Sequence, residues 1–346
     1  MRQLSTITDP GYRSQRVIPG LDRQILLMIK DPRDLTFVYL CMKITALIIP
    51  MAILLFSSVI QGWQWWLGAA VYAGLIIYFV GPYTLMLHNT SHRVLFKHEY
   101  KWANYYIPWV LGPFMGQSPE TYFSHHIGMH HAENNLHADK SSTMPFRRDS
   151  FVDFLKYFSN FFVAGIYELA VYFKKKEFTK FFNKVIRGES FFIILCVLTS
   201  FIHLKAAIWI FVVPMVIVRF SMMAGNWAQH AFIDADAPAN SYRNSITCIN
   251  NAYNRKCFND GYHIGHHLRP HMHWTDMPGD FLKNKSKYIL EKAIVYEGLD
   301  FHMVWALLMC KRYDVLASHV VDMGDQYQSK EQVIELLKER TKPIYA

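Results

Sequence analysis

The chain carries little charge. Of its 346 residues only 18% are Asp, Glu, Lys or Arg, against about a quarter in ordinary soluble domains. Cysteine is scarce as well. Cys41, Cys196, Cys248, Cys257 and Cys310 are scattered, odd in number and form no CxxC. That usage argues against a disulfide scaffold or a thiolate zinc site and fits a reducing compartment. The first 34 residues are polar and hold no apolar core, so no cleavable signal peptide is expected. A Gly-rich dinucleotide fingerprint is missing, and so are paired Glu-x-x-His motifs, internal repeats and low-complexity tracts. The net charge of +9 is dispersed and makes no compact basic stripe, so nucleic acid is not expected as a partner.

What is abundant is apolar and aromatic. Hydrophobic residues make up 52% and aromatics 16%, while the mean hydropathy is only +0.06. Such a chain is part lipid-embedded and part water-facing. Leu35 to Ile60 holds one charge, Lys43, and Trp63 to Leu87 opens with Trp63, Trp65 and Trp66. Each run exceeds the roughly 20 residues that a helix needs to cross a bilayer, and tryptophan at a span edge is an interfacial anchor. Gln61-Gly62 reads as the turn of a hairpin. A second hairpin is expected later, its arms broken only by Lys205. The expected fold is all-α and integral to the membrane, with four spans at about 35–60, 63–87, 189–204 and 206–228. A cytosolic helical cap would complete it.

Basic residues set the orientation. The tail up to residue 34 carries six Lys and Arg, the 89–190 segment thirteen and the region after 220 fourteen, whereas the two hairpin turns carry none and one. Basic segments stay in the cytosol, so both termini are expected there in a multi-pass protein. The chain then divides into a cytosolic tail at 1–34, a membrane domain at 35–280 and a cytosolic helical region at 281–346. Residues 103–117 are apolar but too short to span. Phe151 to Lys176 reads as one or two amphipathic helices lying on the membrane face. Ser329-Lys-Glu-Gln332 is a capping box ahead of Val333 to Leu337.

Three histidine clusters flank the apolar runs. They are His88-Asn-Thr-Ser-His92, His125-His126-Ile-Gly-Met-His130-His131 and His263-Ile-Gly-His266-His267. A fragment at the end of the last run, Asn226-Trp-Ala-Gln-His230, adds one more. Imidazole is the commonest metal ligand, and residues at i and i+4 share a helix face. On that reasoning His88 faces as His92 does, and His126 as His130 does, with His131 adjacent. Nine histidines exceed the needs of one four-coordinate zinc and suit a two-metal centre held by nitrogen. His125 reads as an extra that supports a ligand by hydrogen bonding. Imidazoles beside lipid are expensive unless functional. Isolated histidines such as His203 and His302 are assigned no role. A His-rich metal transporter is the non-enzyme alternative. Transporter sites lie near the bilayer midplane, however, and these clusters sit at span ends.

The pattern HxxxH, HxxxHH, HxxHH resembles the three-box signature of the membrane fatty-acid desaturase and hydroxylase superfamily, over about residues 35–280. The stretch from Asn259 to Trp274 looks like the third box of acyl-CoA and acyl-lipid desaturases. Asn226 and His230 are similar to a pair that the stearoyl-CoA branch takes from its fourth span, the His binding metal and the Asn holding it through water. Box one departs from that branch, with three residues between its histidines where four are usual, and Ile264 stands where Asn is usual. The resemblance implies a di-iron enzyme using O2, with His88, His92, His126, His130, His131, His230, His263, His266 and His267 as ligands. It names no catalytic residue beyond them. Two iron ions, a fatty-acyl lipid substrate and an external electron donor are implied. The donor would be a cytochrome b5 or a ferredoxin with its reductase, since no fused b5 signature, His-Pro-Gly-Gly, is present. Desaturation is the leading expectation, and hydroxylation of a lipid, alkane or sterol shares the same boxes. The expected location is the endoplasmic reticulum in a eukaryote and the inner membrane in a bacterium.

Overall fold

The computed structural model describes residues 1–11 and 20–345. Arg13 and Arg16 of the basic tail lie outside the described residues. Helices dominate, and among the described residues three stretches are long and apolar enough to cross a membrane: Pro32–Phe56, Gly62–His92 and Thr179–Gln229. The chain divides into two compact units. The first comprises Met1–Tyr12, Met129–Leu169 and Ser221–Ala346, the second Arg13–Gly128 and Ala170–Phe220.

In the second unit the helices Leu35–Phe56 and Gly62–His92 pack together. The buried residues step by three and four. They are Phe37, Cys41, Ile44, Ile48, Ala52 and Leu55 on one helix, and Trp65, Ala69, Tyr72, Ile76, Phe79, Tyr83 and Met86 on the other. That spacing makes a narrow seam of the coiled-coil kind. The outward residues Leu47, Ile53, Val71 and Ile77 stay exposed, as a surface covered by lipid requires. The helices stop at Phe56 and restart at Gly62. The turn is therefore residues 57–61 rather than Gln61-Gly62. Ser57 ends the first helix by donating to the Leu54 carbonyl at 2.7 Å. Trp65 Nε1 donates to the Leu55 carbonyl at 2.9 Å and closes the turn.

The two arms expected at 189–204 and 206–228 run together as one 51-residue stretch, Thr179–Gln229. Its break falls at His203, with φ −158° and ψ 92°, two residues before the expected turn at Lys205. His203 Nδ1 accepts from the Ala206 N–H at 3.2 Å, restarting the helix. Its ring stacks on Trp65 at 6.2 Å, and Lys205 Nζ lies 3.7 Å over the same indole. His203 thus has a structural task that its isolation in the sequence concealed. The apolar 103–117 stretch forms short helical turns, His98–Tyr105, Tyr106–Leu111 and Gly112–Phe114, and no span. Tyrosine hydroxyls tie it in: Tyr83 donates to the Ile107 carbonyl at 3.3 Å and Tyr72 to that of Phe114 at 3.2 Å.

The fold is mostly helical, as expected, and the first unit adds two short strand pairs. Thr247–Ile249 pairs in parallel with Val295–Glu297, and Arg2–Gln3 with Val321–Asp322. Thr247–Ile249 and Val295–Glu297 are buried throughout, which suits parallel pairing. Cys248 and Tyr296 join a core with Phe301, Val304, Leu316 and Val333. Phe151–Lys175 is a single helix. Phe154 and Tyr157 turn inward, while Val152, Leu155, Val163 and Tyr167 form an exposed stripe. Ser329 caps Lys330–Glu339 by accepting from the Gln332 N–H.

Arg148 ties this unit together. It is fully buried. Its guanidinium donates to the carbonyls of Thr143, Met144, Phe146, Ala231, Arg340 and Lys342. Burial lowers its pKa to about 10, so it remains charged at neutral pH. The carbonyl of Ala231 belongs to the residue after His230, so this hub also fixes the chain where a candidate ligand leaves its helix.

Candidate metal centre

His88 and His92 stand one turn apart in the last turns of the helix Gly62–His92, with ring centres 5.3 Å apart. His126 faces both: its Nε2 lies 2.9 Å from that of His92, and its ring centre 4.5 Å from that of His88. The donor nitrogens of all three lie within 4.8 Å of one another. This set belongs to the second unit.

The second box does not keep the regular helix that its spacing suggested. Helical residues run from Thr121 to Glu133, but His126–His130 forms a wider π turn. Hydrogen bonds there run from i to i+5, which breaks the shared face of i and i+4. His126 therefore joins His88 and His92, and His130 joins a different set. Just before the box, Glu120 adopts φ 62°. Arg187 Nε at 3.2 Å and Lys184 Nζ at 3.5 Å hold its carboxylate, and Ser118 donates to Glu189.

In the first unit His130, His230, His263 and His267 bring four donor nitrogens within 4.8 Å of one another. His263 Nε2 lies 3.3 Å from that of His230 and 3.0 Å from that of His267. His131 and His266 form a further pair, their Nε2 atoms 2.9 Å apart. The helix His263–Leu268 thus sends its i and i+4 histidines to one set and its i+3 histidine to another.

Hydrogen bonds decide which nitrogen is bare. His230 Nδ1 meets two acceptors, the Asn244 carbonyl at 3.0 Å and Asn244 Oδ1 at 2.9 Å. The orientation of that amide is fixed, because Nδ2 donates to the carbonyls of Asn134 and Pro238. His130 Nδ1 lies 2.8 Å from Asp139 Oδ2. The proton of each ring must sit on Nδ1, leaving the Nε2 lone pair free to bind a cation. Burial, together with nearby His130, pushes His230 down to about 4. Burial and the surrounding imidazoles hold His267 well below its ordinary value. Both rings are therefore neutral at pH 7, the form that ligates metal.

This donor set fits a metal. Nitrogens bound to one ion at about 2.0–2.1 Å stand roughly 3.0–3.4 Å apart, close to the separations seen here. Lone pairs facing at such distances repel unless a cation lies between them. No carboxylate or thiolate joins these histidine sets among the described residues. All-imidazole donors suit iron, zinc, copper or nickel rather than magnesium or calcium.

All nine expected ligands fall into these sets, whereas His125 joins none of them. Asn226 directs Nδ2 to the Tyr157 hydroxyl at 2.7 Å and to the Ser141 carbonyl at 3.1 Å. Asp139 and Asn244, which orient two of the rings, escaped the reading of the sequence. Neither stands at a helical spacing from the histidine it serves.

The family model described as Fatty acid desaturase matches residues 61–284. No curated protein and no solved structure matches the chain. The matched stretch is well over half of the sequence and takes in every histidine of the three sets, so the chain belongs to the fatty acid desaturase family.

Proposed function

We propose that this protein is an O2-dependent lipid desaturase whose nine clustered histidines hold two irons. Membership of the family makes it an oxidoreductase of the desaturase and hydroxylase type. The observation that carries the finer reading is the set of imidazoles whose Nε2 atoms face one another at 2.9–3.3 Å. Iron bound there supplies, with O2, the oxidising power that an unactivated C–H bond demands. The balance is one acyl –CH2–CH2–, one O2, two electrons and two protons giving –CH=CH– and two waters. The residues of this chain hold the donors rigid: Asp139 and Asn244 orient His130 and His230, and burial keeps bulk water from those two rings.

The electrons come from an external carrier, a cytochrome b5 or a ferredoxin with its reductase. The dispersed basic surface suits an acidic carrier. Thr179–Gln229 supplies two crossings rather than one, which gives four spans with both termini in the cytosol. A straight helix of its 51 residues would be about 77 Å long, against a hydrocarbon core of about 30 Å. The break at His203 is where the chain turns back.

The test is mass spectrometry of total lipids from a host expressing the protein with b5 or ferredoxin, beside His267→Ala. A lipid lighter by two hydrogens, absent with the variant, is expected. A lipid heavier by one oxygen would make the enzyme a hydroxylase. The same product from His267→Ala would remove that histidine from the site.

A further inference from the structure

We propose that Asp9 is a positioning residue for the metal centre. It grips Tyr262, the residue before His263, and so fixes the short helix that carries His263 and His267. The role stands only if these histidines bind metal, as proposed above.

Residues 2–10 read in the sequence as part of a polar tail, yet they lie docked on the first unit, to which they belong. Arg2–Gln3 pairs with Val321–Asp322. Ser5 donates to Glu297, and the Thr8 N–H to Asn250 Oδ1 at 2.7 Å. Asp9 comes next and is buried. Its Oδ2 accepts from the Asn250 N–H and from the Tyr262 hydroxyl, both at 2.7 Å. The Pro10 carbonyl accepts from Asn259 Nδ2, also at 2.7 Å.

The helix His263–Leu268 needs such support. With six residues it is too short to be stable by itself. Its N-cap residue, Tyr262, supplies no side-chain cap. The Tyr262 hydroxyl goes to Asp9 instead, and Asn259 adds a second tie by donating to the Trp274 carbonyl at 2.8 Å. Tyr262 and Asn259 are both buried, so a donor left there without an acceptor is costly. His263 and His267 ride on this helix with Nε2 atoms 3.0 Å apart, and His263 Nε2 lies 3.3 Å from that of His230. Ligands that share one ion tolerate little rotation of the helix that carries them.

Asp9 contributes an acceptor rather than a charge. Both bonds fall on Oδ2, while Oδ1 is buried and accepts none. An amide oxygen has two lone pairs and takes both bonds equally well. Asp9→Asn therefore keeps the grip, and Asp9→Ala removes it. Tyr262→Phe removes it from the other side.

The experiment titrates the full chain, stripped of metal in detergent, with cobalt(II), whose visible absorption reports the geometry of its ligands. Wild type is expected to take two ions. Asp9→Ala is expected to bind one of them about tenfold more weakly, with an altered spectrum and the other ion unchanged. Tyr262→Phe should do the same, and the double variant no more than either alone. Asp9→Asn should match wild type in affinity and spectrum. So should Thr8→Ala, which loses a contact to Asn250 but not the grip on Tyr262. His267→Ala is the reference and should lose the ion that Asp9→Ala weakens. Wild-type binding by Asp9→Ala, where His267→Ala loses an ion, would overturn the role of Asp9 and leave the metal reading standing. Weakening of both ions together by Asp9→Ala would show a general loss of folding and overturn it too, as would a loss with Asp9→Asn as large as with Asp9→Ala. No cobalt bound by wild type, or unchanged binding by His267→Ala, would bring down the metal reading and the role of Asp9 with it.

Discussion

Asp139 is the residue on which the orientation of His130 rests. Besides the His130 ring it accepts from the Asn135 N–H at 3.2 Å, and from Ser141 N–H and Oγ at 2.8 and 2.7 Å. A carboxylate so fully bonded cannot rotate away, and it fixes the imidazole with Nε2 outward. Loss of such a partner commonly costs about 10–100-fold in metal affinity. Asp139→Ala is therefore expected to lose iron in a chelator competition at concentrations the wild type resists. Ser141→Ala, which removes one donor to Asp139 but leaves the His130 contact, should retain nearly all of it. Equal retention by Asp139→Ala and wild type would show that the carboxylate does not hold the ring. The candidate ligands were legible as such in the sequence because imidazole chemistry is specific and spacings of three and four are local. Asp139 lies nine residues from His130, and Asn244 fourteen from His230. No periodicity links such pairs; only the folded loops bring them together.

At the scale of elements, the segment that launches box two is docked on the helix Thr179–Ala207 through Gly188. A Cβ at Gly188 would fall on the carbonyl oxygen of Pro119. Arg187 and Lys184 grip Glu120 from the same helix, and Glu189 accepts from Ser118. Backbone lies on backbone here, with no flexible side chain to give way. Overpacking of such a contact costs about 1–3 kcal/mol. Gly188→Ala is expected to lower the midpoint of thermal unfolding in detergent by several degrees and to reduce bound iron, whereas Asn183→Ala on the exposed face should do neither. A wild-type melting curve from Gly188→Ala would mean that the two segments do not touch. The helices themselves were readable from hydropathy. Which face each one buries was not, because a span is apolar all round and only packing separates the seam from the lipid side. The π turn in box two escaped for a similar reason: His-Ile-Gly-Met-His has the spacing of an ordinary helix, and tertiary packing inserts the extra residue.

Over the whole molecule, hydropathy marks the apolar runs but not the boundary between the two compact units, which passes between Gly128 and Met129 inside box two. No composition shift signals it, since both units are built from segments distant in sequence. Hydropathy also leaves open how often Thr179–Gln229 crosses the bilayer. The break at His203 and the placing of Lys205 over Trp65 and Trp66 argue that the helix turns at an interface. A lysine ammonium among tryptophans is at home at the headgroups and costly at the bilayer centre. Lys205 and Ser329 should accordingly lie on opposite faces of the membrane. The check is single-cysteine labelling with an impermeant maleimide in sealed vesicles, after the exposed Cys310 is replaced by serine. Lys205→Cys is expected to react from one side only and Ser329→Cys from the other only. Reaction of both from the same side would mean that the helix does not return through the bilayer, and the four-span arrangement would fall with it.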